Sequence, residues 1–322
     1  MKLHDGEVDT DAEMVRALVA AQFPELAGEP IRAVRSTGTV NAIYRVGDEL
    51  YARLPRMAHQ VGDLERERIW LPRLAPGLSL RVPEPVAFGR PGAGYPLPWA
   101  IFRWLDGATY AGAADERSVA ADERPAGGER GAAPDGPPAA GRRPATTAGV
   151  VADERAAAIE LARFVTELRA VPVTAGAPPG GRRPLRELDA VTREALAVIG
   201  SGAALRAWER ALEAPPFTGA PVWIHGDLLR PNLLVRDGRL SAVIDFGSAG
   251  VGDPAADLVA AWAVFTPPGR ARFREALDPD PGTWERARGY ALHQAALIIP
   301  YYTETNPAFV VHAQRTIAEL LT

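Results

Sequence analysis

The chain contains no cysteine among its 322 residues. Disulfide bonds and thiolate metal sites are therefore excluded, and the chain can fold in a reducing compartment. No stretch of about 18 apolar residues is present, so we expect no transmembrane helix and no membrane partner. The N-terminal sequence lacks the basic and apolar segments of a secretory signal peptide, and we expect a cytoplasmic protein.

Neither positive nor negative charge is in large excess. The formal net charge is -4, from 36 Lys and Arg against 40 Asp and Glu. Because nucleic-acid-binding surfaces are usually basic, we expect no nucleic-acid partner. Apolar residues make up 47% of the chain, as in ordinary globular proteins, and the length allows two lobes with separate cores. The composition leaves the oligomeric state open.

Residues that could form a core are nearly missing from about 112–150. Val119 and Val150 are the only sizeable aliphatic residues there, aromatic residues are absent, and the tetrapeptide Ala-Asp-Glu-Arg occurs twice, at 114–117 and 121–124. Such a segment buries too little apolar surface to order itself. We therefore predict a low-complexity insertion without a function of its own.

The rest of the chain has strand patterns first and helix patterns later. Residues 31–54 alternate like strands, a helix is predicted near 61–71, and 99–105 form a very apolar strand. After the insertion, apolar residues at helical spacing dominate and one hairpin interrupts them. This order predicts an α+β fold with a cleft between two unequal lobes, 1–105 and 106–322.

Local signals indicate where some helices begin and end. Thr10 with Glu13 predicts a capping box for a first helix, and Asp253 followed by Pro254 predicts another N-cap. Pro72 lies in the late turns of the helix predicted near 61–71, and we expect it to kink or end that helix.

The most informative segment runs from Val222 to Asn232 and is followed by Val243–Gly247. It contains Asp227, an amide five positions later at Asn232, and a second acid thirteen positions beyond that at Asp245. In phosphoryl transfer, an aspartate positions the attacking hydroxyl, while an amide and a second carboxylate hold magnesium. The spacing therefore predicts transfer of the terminal phosphate of a nucleotide.

A β-hairpin explains how these separated residues could meet. If Asp237-Gly238 forms the turn, Asn232 lies opposite roughly Val243, and Asp245 is offset by about two residues, or ~7 Å along the strand. Both side chains then emerge at the same open end of the hairpin. An amide oxygen and a carboxylate at that end can share one Mg²⁺ ion, whose other ligands are water and phosphate.

Each of these residues has a simpler interpretation when it is taken alone. Asp245 and Asn232 are residue types that are common in turns. Their ordered spacing between apolar strands favours a shared site instead. We interpret His225 as a hydrogen-bonding residue of the loop rather than a proton carrier, and Asp257 either braces that loop or supports the first turn of its own helix.

These motifs resemble the aminoglycoside phosphotransferase family, which shares the fold of protein kinases and includes kinases of antibiotics and of small metabolites. The resemblance is carried by 225–232, 244–247 and 252–258, and it extends over nearly the whole chain apart from 112–150. It implies a protein-kinase-like fold, in which a small N-terminal antiparallel-sheet lobe binds the nucleotide and a mainly helical C-terminal lobe carries catalysis and the substrate site.

The resemblance also implies roles for the three polar residues. Asp227 corresponds to the catalytic base, and Asn232 and Asp245 correspond to the magnesium ligands. The implied cofactors are ATP or GTP together with Mg²⁺. The implied partner is a small-molecule substrate.

The nucleotide side is predicted from weaker signals. The segment from Ser36 through Gly38 to Asn41 lies between two strands and resembles the phosphate-covering loop of the family. Backbone N–H groups in such a turn can cradle an anion, and a plain hairpin turn is the alternative. At the connector between the lobes, Arg103 and Leu105 match positions whose backbone groups bind adenine in the family.

Arg53 occupies the strand position at which kinase-like folds place a lysine. An arginine can grip phosphate oxygens with two N–H groups, so the change affects the geometry of phosphate binding rather than binding itself. Glu67 borders the apolar stripe of the helix near 61–71 and is predicted to pair with Arg53, whereas Glu65 is predicted to be solvated. The alternative is that Glu67 is another surface acid.

The favoured function is ATP- or GTP-dependent O-phosphotransfer to a small hydroxylated molecule. The acceptor is either an antibiotic, such as an aminoglycoside or a macrolide, or a metabolite resembling choline, homoserine or methylthioribose. A nucleotide-binding pseudokinase without turnover is an alternative that Arg53 supports. A protein kinase is disfavoured because no Ala-Pro-Glu follows Asp245-Phe246-Gly247, which leaves little room for an activation segment.

Overall fold

The computed structural model of the protein describes residues 7–34, 41–111 and 149–322. The predicted insertion, except for its last two residues, lies outside these ranges. Ser36 and Gly38 of the predicted phosphate-covering loop also lie outside them.

A five-stranded antiparallel sheet forms most of the described N-terminal part. In spatial order its strands are β1 (Ile31–Ala33), β2 (Asn41–Val46), β3 (Leu50–Pro55), β5 (Trp99–Arg103) and β4 (Pro85–Gly89). Alternate residues of β2 are buried, as expected for a strand with one face on a core. The small N-terminal antiparallel sheet of the predicted fold is confirmed.

Helix α1 (Ala12–Gln22) packs on this sheet, but it does not begin with the predicted capping box at Thr10. The Asp11 carboxylate instead accepts a hydrogen bond from the Met14 amide at 2.8 Å and caps the helix. The Thr10 hydroxyl accepts a hydrogen bond from the Tyr44 hydroxyl at 3.0 Å. Thr10 is therefore used by the neighbouring strand, and the carboxylate one residue later serves as the cap.

Helix α2 (Val61–Leu74) joins the sheet to the rest of the molecule. It continues for two residues beyond Pro72, because a proline in the last turn removes only one hydrogen bond near the end of the helix. The rings of Trp70 and Trp223 pack with centroids 4.9 Å apart, and the buried residues of α2 belong to the large C-terminal core. The lobe boundary between 105 and 106 stays a prediction, since a helix before it shares that core.

The described C-terminal part is mainly helical. Its α-helices are α3 (Glu154–Ala170), α4 (Asp189–Ile199), α5 (Gly202–Leu212), α6 (Ala260–Ala263), α7 (Pro267–Leu277), α8 (Pro281–Tyr302) and α9 (Pro307–Leu321). Apolar residues on their inner faces form one large core. None of the helices within the described ranges combines the length and apolar character needed to cross a membrane.

Two small antiparallel sheets carry the segments singled out in the sequence. Their strands are β7 (Val222–Ile224) with β10 (Gly250–Gly252), and β6 (Ala108–Thr109) with β8 (Leu233–Arg236) and β9 (Arg239–Val243). The turn between β8 and β9 is Asp237-Gly238, whose φ values are +51° and +76°. Two positive φ values match the right-handed twist of a hairpin, as predicted.

The register of this hairpin differs from the prediction by one residue. Leu233 pairs with Val243, because a β-bulge shifts the pairing between β8 and β9. Asn232 therefore lies opposite Ile244, whose amide donates to the Asn232 carbonyl at 2.9 Å. The prediction that Asn232 faces Val243 is wrong, and Asp245 is one residue away from the position opposite Asn232 instead of two.

Candidate active site

The loop after β7 is held by two buried side chains. The Asp257 carboxylate accepts hydrogen bonds from the amides of His225 at 3.0 Å and Gly226 at 2.8 Å. The His225 Nδ1 accepts from the Asp227 amide at 3.2 Å, and its Nε2 lies 3.0 Å from the Ile244 carbonyl. A neutral ring protonated at Nε2 satisfies both contacts. His225 and Asp257 therefore fix the backbone that presents Asp227.

Asp227 and Asn232 are in direct contact. The Asn232 Nδ2 donates to the Asp227 Oδ2 at 2.9 Å and to the Asp227 carbonyl at 2.9 Å. Because both donations come from the amide nitrogen, the amide oxygen of Asn232 faces away from the carboxylate. That oxygen is the atom of Asn232 that is available to a cation.

Asp245 follows β9 with an unusual backbone conformation. Its φ of +66° lies in the left-handed region, which aspartate tolerates better than most residues do. Its side chain makes no helix-capping hydrogen bond. Burial raises the pKa of Asp227; the Arg182 guanidinium opposes this increase, and the Asp245 carboxylate adds to it. A bound cation would reduce the electrostatic repulsion between these two carboxylates.

The available donors fit Mg²⁺. The Asn232 amide oxygen and the Asp245 carboxylate are hard oxygen ligands of the kind that this ion prefers. No group of three or more His, Cys, Asp or Glu side chains with metal-binding geometry occurs in the parts of the chain that the structure describes. The protein thus offers few ligands of its own, as expected for an ion that keeps waters and phosphate oxygens in its shell.

Gln294 contacts the Asp227 carboxylate, and this contact was not predicted from the sequence. It lies on α8, and its Nε2 donates to the Asp227 Oδ1 at 2.6 Å. With Asn232 on the other oxygen, both oxygens of Asp227 accept a hydrogen bond from an amide side chain. Gln294 is one of several polar residues of α8, which also contains Glu285, Arg286, Arg288 and His293. The sequence therefore does not identify its contact with a residue 67 positions away.

Arg182 is a second residue beside Asp227 that sequence patterns did not indicate. Its Nη2 donates to the Gly226 carbonyl at 3.4 Å, and its positive charge opposes the increase in the pKa of Asp227 that burial causes. It follows a loop in which Gly180 packs on β10; a Cβ on Gly180 would lie 2.5 Å from the Gly250 Cα. A run of Pro and Gly before an arginine predicts a loop but not where the arginine lies.

On the nucleotide side, Arg53 and Glu67 form a buried ion pair. The Arg53 Nη1 lies 2.8 Å from the Glu67 Oε2, with side-chain exposures of 6% and 0%. Burial works against the charge of Arg53, but the Glu67 carboxylate together with Asp245 and Tyr51 outweighs it, so the pKa of Arg53 is raised. Glu65 is exposed and pairs with Arg68. The structure thus brings together the two residues chosen from the sequence and leaves Glu65 in solvent.

The other predicted nucleotide-binding residues are placed as follows. Asn41 begins β2 and pairs with Pro55 of β3. The Arg103 amide donates to the Glu84 carbonyl at 2.9 Å, so it is not open to a base, and the prediction is limited to the Arg103 carbonyl. Leu105 is buried and packs against the β8–β9 hairpin. The connector is therefore attached to the hairpin that carries Asn232 and ends at Asp245.

Solved structures with a similar fold match nearly the full length of the chain. The GDP complex of aminoglycoside 2'-phosphotransferase-IIIa is 17% identical with a TM-score of 0.68, covering 97% of this chain and 99% of that chain. The streptomycin–ATP complex of APH(2")-IIa is 17% identical with a TM-score of 0.56, covering 98% and 99%. Macrolide 2'-phosphotransferase MphH from Brachybacterium faecium is 22% identical with a TM-score of 0.57, covering 96% and 97%. At these identities the similarity establishes a shared kinase-like fold.

Sequence comparison identifies the family. No curated protein matches the chain significantly. The profile of the family described as "Phosphotransferase enzyme family" matches residues 32–130 and 137–290, which is well over half of the chain. This protein therefore belongs to the phosphotransferase enzyme family.

Proposed function

We propose that this protein transfers the terminal phosphate of ATP or GTP to a hydroxyl group of a small molecule. The observation that carries the proposal is the convergence of three side chains at one end of the β8–β9 hairpin. The Asn232 amide donates to the Asp227 carboxylate at 2.9 Å, and Asp245 is close enough to raise the pKa of Asp227. Phosphoryl transfer is catalysed mainly by positioning and charge neutralisation, which few groups can supply.

Each of the three residues has a distinct proposed role. Asp227 accepts a hydrogen bond from the acceptor hydroxyl and takes its proton as the bond to phosphorus forms. Asn232 and Asp245 hold Mg²⁺ through oxygen atoms. When bound, the ion neutralises charge on the phosphate oxygens. Glu67 fixes the guanidinium of Arg53 at 2.8 Å, so that Arg53 presents its remaining N–H groups to the phosphates.

The names of the structural relatives support a nucleotide and a small acceptor. The relatives above are named as complexes with GDP and with ATP and streptomycin, and another is named as a macrolide enzyme. We propose an antibiotic as one candidate acceptor of this chain. A metabolite is the second candidate, and the cationic side chain of Arg182 beside Asp227 favours it over a polycationic antibiotic.

The proposal is tested with a panel of hydroxylated antibiotics and metabolites, each incubated with ATP or GTP and magnesium. We expect nucleotide consumption together with an acceptor product that has gained one phosphoryl group, detected by mass spectrometry. Nucleotide binding without transfer to any acceptor would instead support a nucleotide-binding module without turnover.

Two variants test the assigned roles. Asp227→Ala should lower turnover by about 10²- to 10⁴-fold while nucleotide affinity stays nearly unchanged. Asp245→Asn should raise the magnesium concentration needed for half-maximal activity. Asp237→Asn is the matched control, because Asp237 lies in the turn of the same hairpin with its side chain 92% exposed. If Asp227→Ala turned over as fast as wild-type protein, Asp227 would not be the base. If Asp245→Asn and Asp237→Asn needed the same magnesium concentration, Asp245 would not be a magnesium ligand.

A further inference from the structure

Arg182 carries a positive charge beside Asp227 and forms no ion pair with any described residue. Its one hydrogen bond among those residues is the donation to the Gly226 carbonyl at 3.4 Å, and its Nε is buried without an acceptor. Burial lowers the pKa of Arg182, and the carboxylate of Asp227 opposes this decrease. Arg182 is half-buried, and guanidinium N–H groups that lack a protein acceptor are suited to an incoming anion.

The position of Arg182 is fixed by the loop that precedes it. The Gly180 amide donates to the Val251 carbonyl at 3.0 Å, and the Val251 amide donates to the Pro178 carbonyl at 2.8 Å, so the loop extends the edge of β10. The Arg66 side chain of α2 donates to the carbonyl of Pro179 at 3.0 Å. The three residues that precede Gly181 and Arg182 are therefore fixed by β10 on one side and by the Arg66 side chain on the other.

Arg182 lies on the side of Asp227 that faces α8. The charged and polar groups that influence it are Asp227, Asp257 and Tyr290 of α8. Asp245, in contrast, acts on Arg53 and Glu67 of the nucleotide side. The surroundings of Asp227 thus differ on its two sides. On the proposed function the nucleotide binds on the side of Arg53, which leaves the side of Arg182 for the acceptor.

The Asp253 and Asp257 carboxylates on this side already have hydrogen-bond partners. The Asp253 carboxylate accepts two hydrogen bonds from the guanidinium of Arg286, at 2.7 and 3.1 Å. Asp257 accepts two backbone N–H groups in the loop before Asp227. Burial lowers the pKa of His293 to about 4, and the charges of Arg182 and Arg183 contribute, so this imidazole is neutral near pH 7. Arg182 is thus a half-buried cation on this side that has no ion-pair partner among the described residues, whereas Arg183 beside it is exposed to solvent.

We propose that Arg182 binds a carboxylate of the acceptor, so that the substrate is a hydroxylated acid and not a polycation. This inference rests on the proposed phosphotransferase function. In the reaction, the acceptor hydroxyl oxygen bonds to the terminal phosphorus, and the bond from that phosphorus to the bridging oxygen of the nucleotide breaks. Asp227 takes the hydroxyl proton, and the products are a phosphorylated hydroxy acid, a nucleoside diphosphate and a proton.

The test compares acceptors that differ in one group. Sugar acids of three to six carbons are paired with the alditols of the same carbon chain, and kanamycin serves as the polycation. We expect kcat/KM to be at least about tenfold higher for a sugar acid than for its alditol, from one charge-assisted interaction. Equal rates within each pair, transfer to no acid in the series, or a preference for kanamycin would overturn the proposal.

The variants separate a role in acceptor binding from other roles of Arg182. Arg182→Gln should lower kcat/KM for the sugar acid at least about tenfold more than for its alditol, so that the preference for the acid is lost. The rate with the alditol should also change, because the charge of Arg182 opposes the raised pKa of Asp227. Arg183→Gln is the matched control, since it removes the neighbouring exposed arginine. If Arg182→Gln lowered the rates with the acid, with the alditol and of intrinsic nucleotide hydrolysis equally, Arg182 would contact the transferred phosphoryl group instead of the acceptor. This result would refute the proposal. Arg182→Lys, which retains the charge, shows whether a failed variant has merely lost its fold.

If the protein is not a phosphotransferase, the result differs from a failure of the acceptor proposal alone. Wild-type protein that neither hydrolyses nucleotide nor transfers phosphate to any acceptor refutes the phosphotransferase function itself. In that case, calorimetric titration of the protein with the sugar acids and alditols, in the presence of nucleotide and magnesium, still tests Arg182. Binding of an acid that is lost in Arg182→Gln supports the proposal, and absence of acid binding overturns it.

Discussion

At the residue scale, the Asp227 carboxylate, the proposed base, is held by two amide side chains from different parts of the chain. Asn232 belongs to the same loop as Asp227, whereas Gln294 comes from α8, 67 positions away. Hydrogen bonds to an ionised carboxylate are worth more than those between neutral groups, and they fix its orientation. The helix that borders the acceptor side is thereby linked directly to the proposed base.

Gln294→Leu should lower kcat by about 10- to 100-fold, because the loss of one charge-assisted hydrogen bond costs roughly 1.5–3 kcal/mol and frees the Asp227 side chain to rotate. Nucleotide affinity should stay unchanged, since α8 lies away from Arg53. Steady-state kinetics and nucleotide titration measure the two quantities. Gln314→Leu, at an exposed position of α9, is the control; equal kcat values for the two variants would contradict the role of Gln294.

His293 predicts how stability depends on pH. Thr192 donates its hydroxyl proton to the Leu188 carbonyl at 2.7 Å, so the His293 Nδ1, 2.8 Å from that hydroxyl, acts as the donor of a neutral ring. Burial lowers the pKa of His293 to about 4 in the folded state, against about 6.5 in the unfolded chain. The unfolded state therefore binds more protons between these pH values, and the contribution of His293 to stability is complete above pH 6.5 and is lost as the pH falls toward 4.

The size of this effect is on the order of 3 kcal/mol. His293→Gln keeps an N–H donor for Thr192 but cannot titrate. Urea unfolding of this variant should show a smaller decrease in the free energy of unfolding between pH 7 and pH 4.5 than wild-type protein does. Parallel pH profiles for the two proteins would show that His293 is not the titrating group.

At the scale of elements, α2 connects the N-terminal sheet with the site. Arg66 donates to the carbonyls of Pro179 and Ala249 at 3.0 and 2.9 Å, and Glu67 pairs with Arg53 of β3. Successive residues of one helix thus contact the loop before Arg182, the segment after Asp245, and the strand of the nucleotide side. A shift of α2 would change all three at once.

Glu67→Gln should destabilise the protein by about 3–5 kcal/mol, because it leaves the charge of Arg53 buried without its partner. It should also weaken nucleotide binding, since Arg53 loses the group that orients it. Denaturant unfolding and nucleotide titration provide the measurements. Glu65→Gln removes an exposed acid from the same helix, and we expect a change below about 0.5 kcal/mol. Similar effects of the two variants would mean that the buried pair has no special role.

At the scale of the whole molecule, the chain returns to nearly the same point on either side of the predicted insertion. The Ala111 amide donates to the Gly149 carbonyl at 2.8 Å, and Ala111 and Val150 form an isolated parallel bridge. The described residues on both sides of the predicted insertion therefore contact each other directly. A short connection can close the same gap at little cost in loop entropy.

Replacement of 115–148 by about eight Gly and Ser residues should leave fold, stability and activity nearly unchanged. Circular dichroism, thermal unfolding and turnover provide the comparison. The contrasting variant replaces 177–183 with the same linker, which removes the contacts that hold Arg182, and it should lose activity. Loss of turnover in the first variant would show that the insertion has a function.

The sequence by itself determined the elements and contacts that depend on near neighbours. The spacing of Asp227 and Asn232, the Asp237-Gly238 turn and the position of Glu67 on its helix follow from local geometry, and the structure has all three arrangements. The phosphate-covering loop at Ser36 and Gly38 lies outside the described residues. The catalytic, nucleotide and metal roles stay predictions until they are measured.

Only the tertiary structure decided which distant groups surround Asp227. Gln294 and Arg182 reach it because α8 and a glycine-containing loop pack around the loop that contains Asp227. Neither residue type predicts such a contact from the sequence. The β-bulge that sets the hairpin register likewise depends on packing of the strand. Local periodicity and turn chemistry are properties of neighbouring residues, whereas the direction of a side chain across the molecule is fixed only when separate segments pack together.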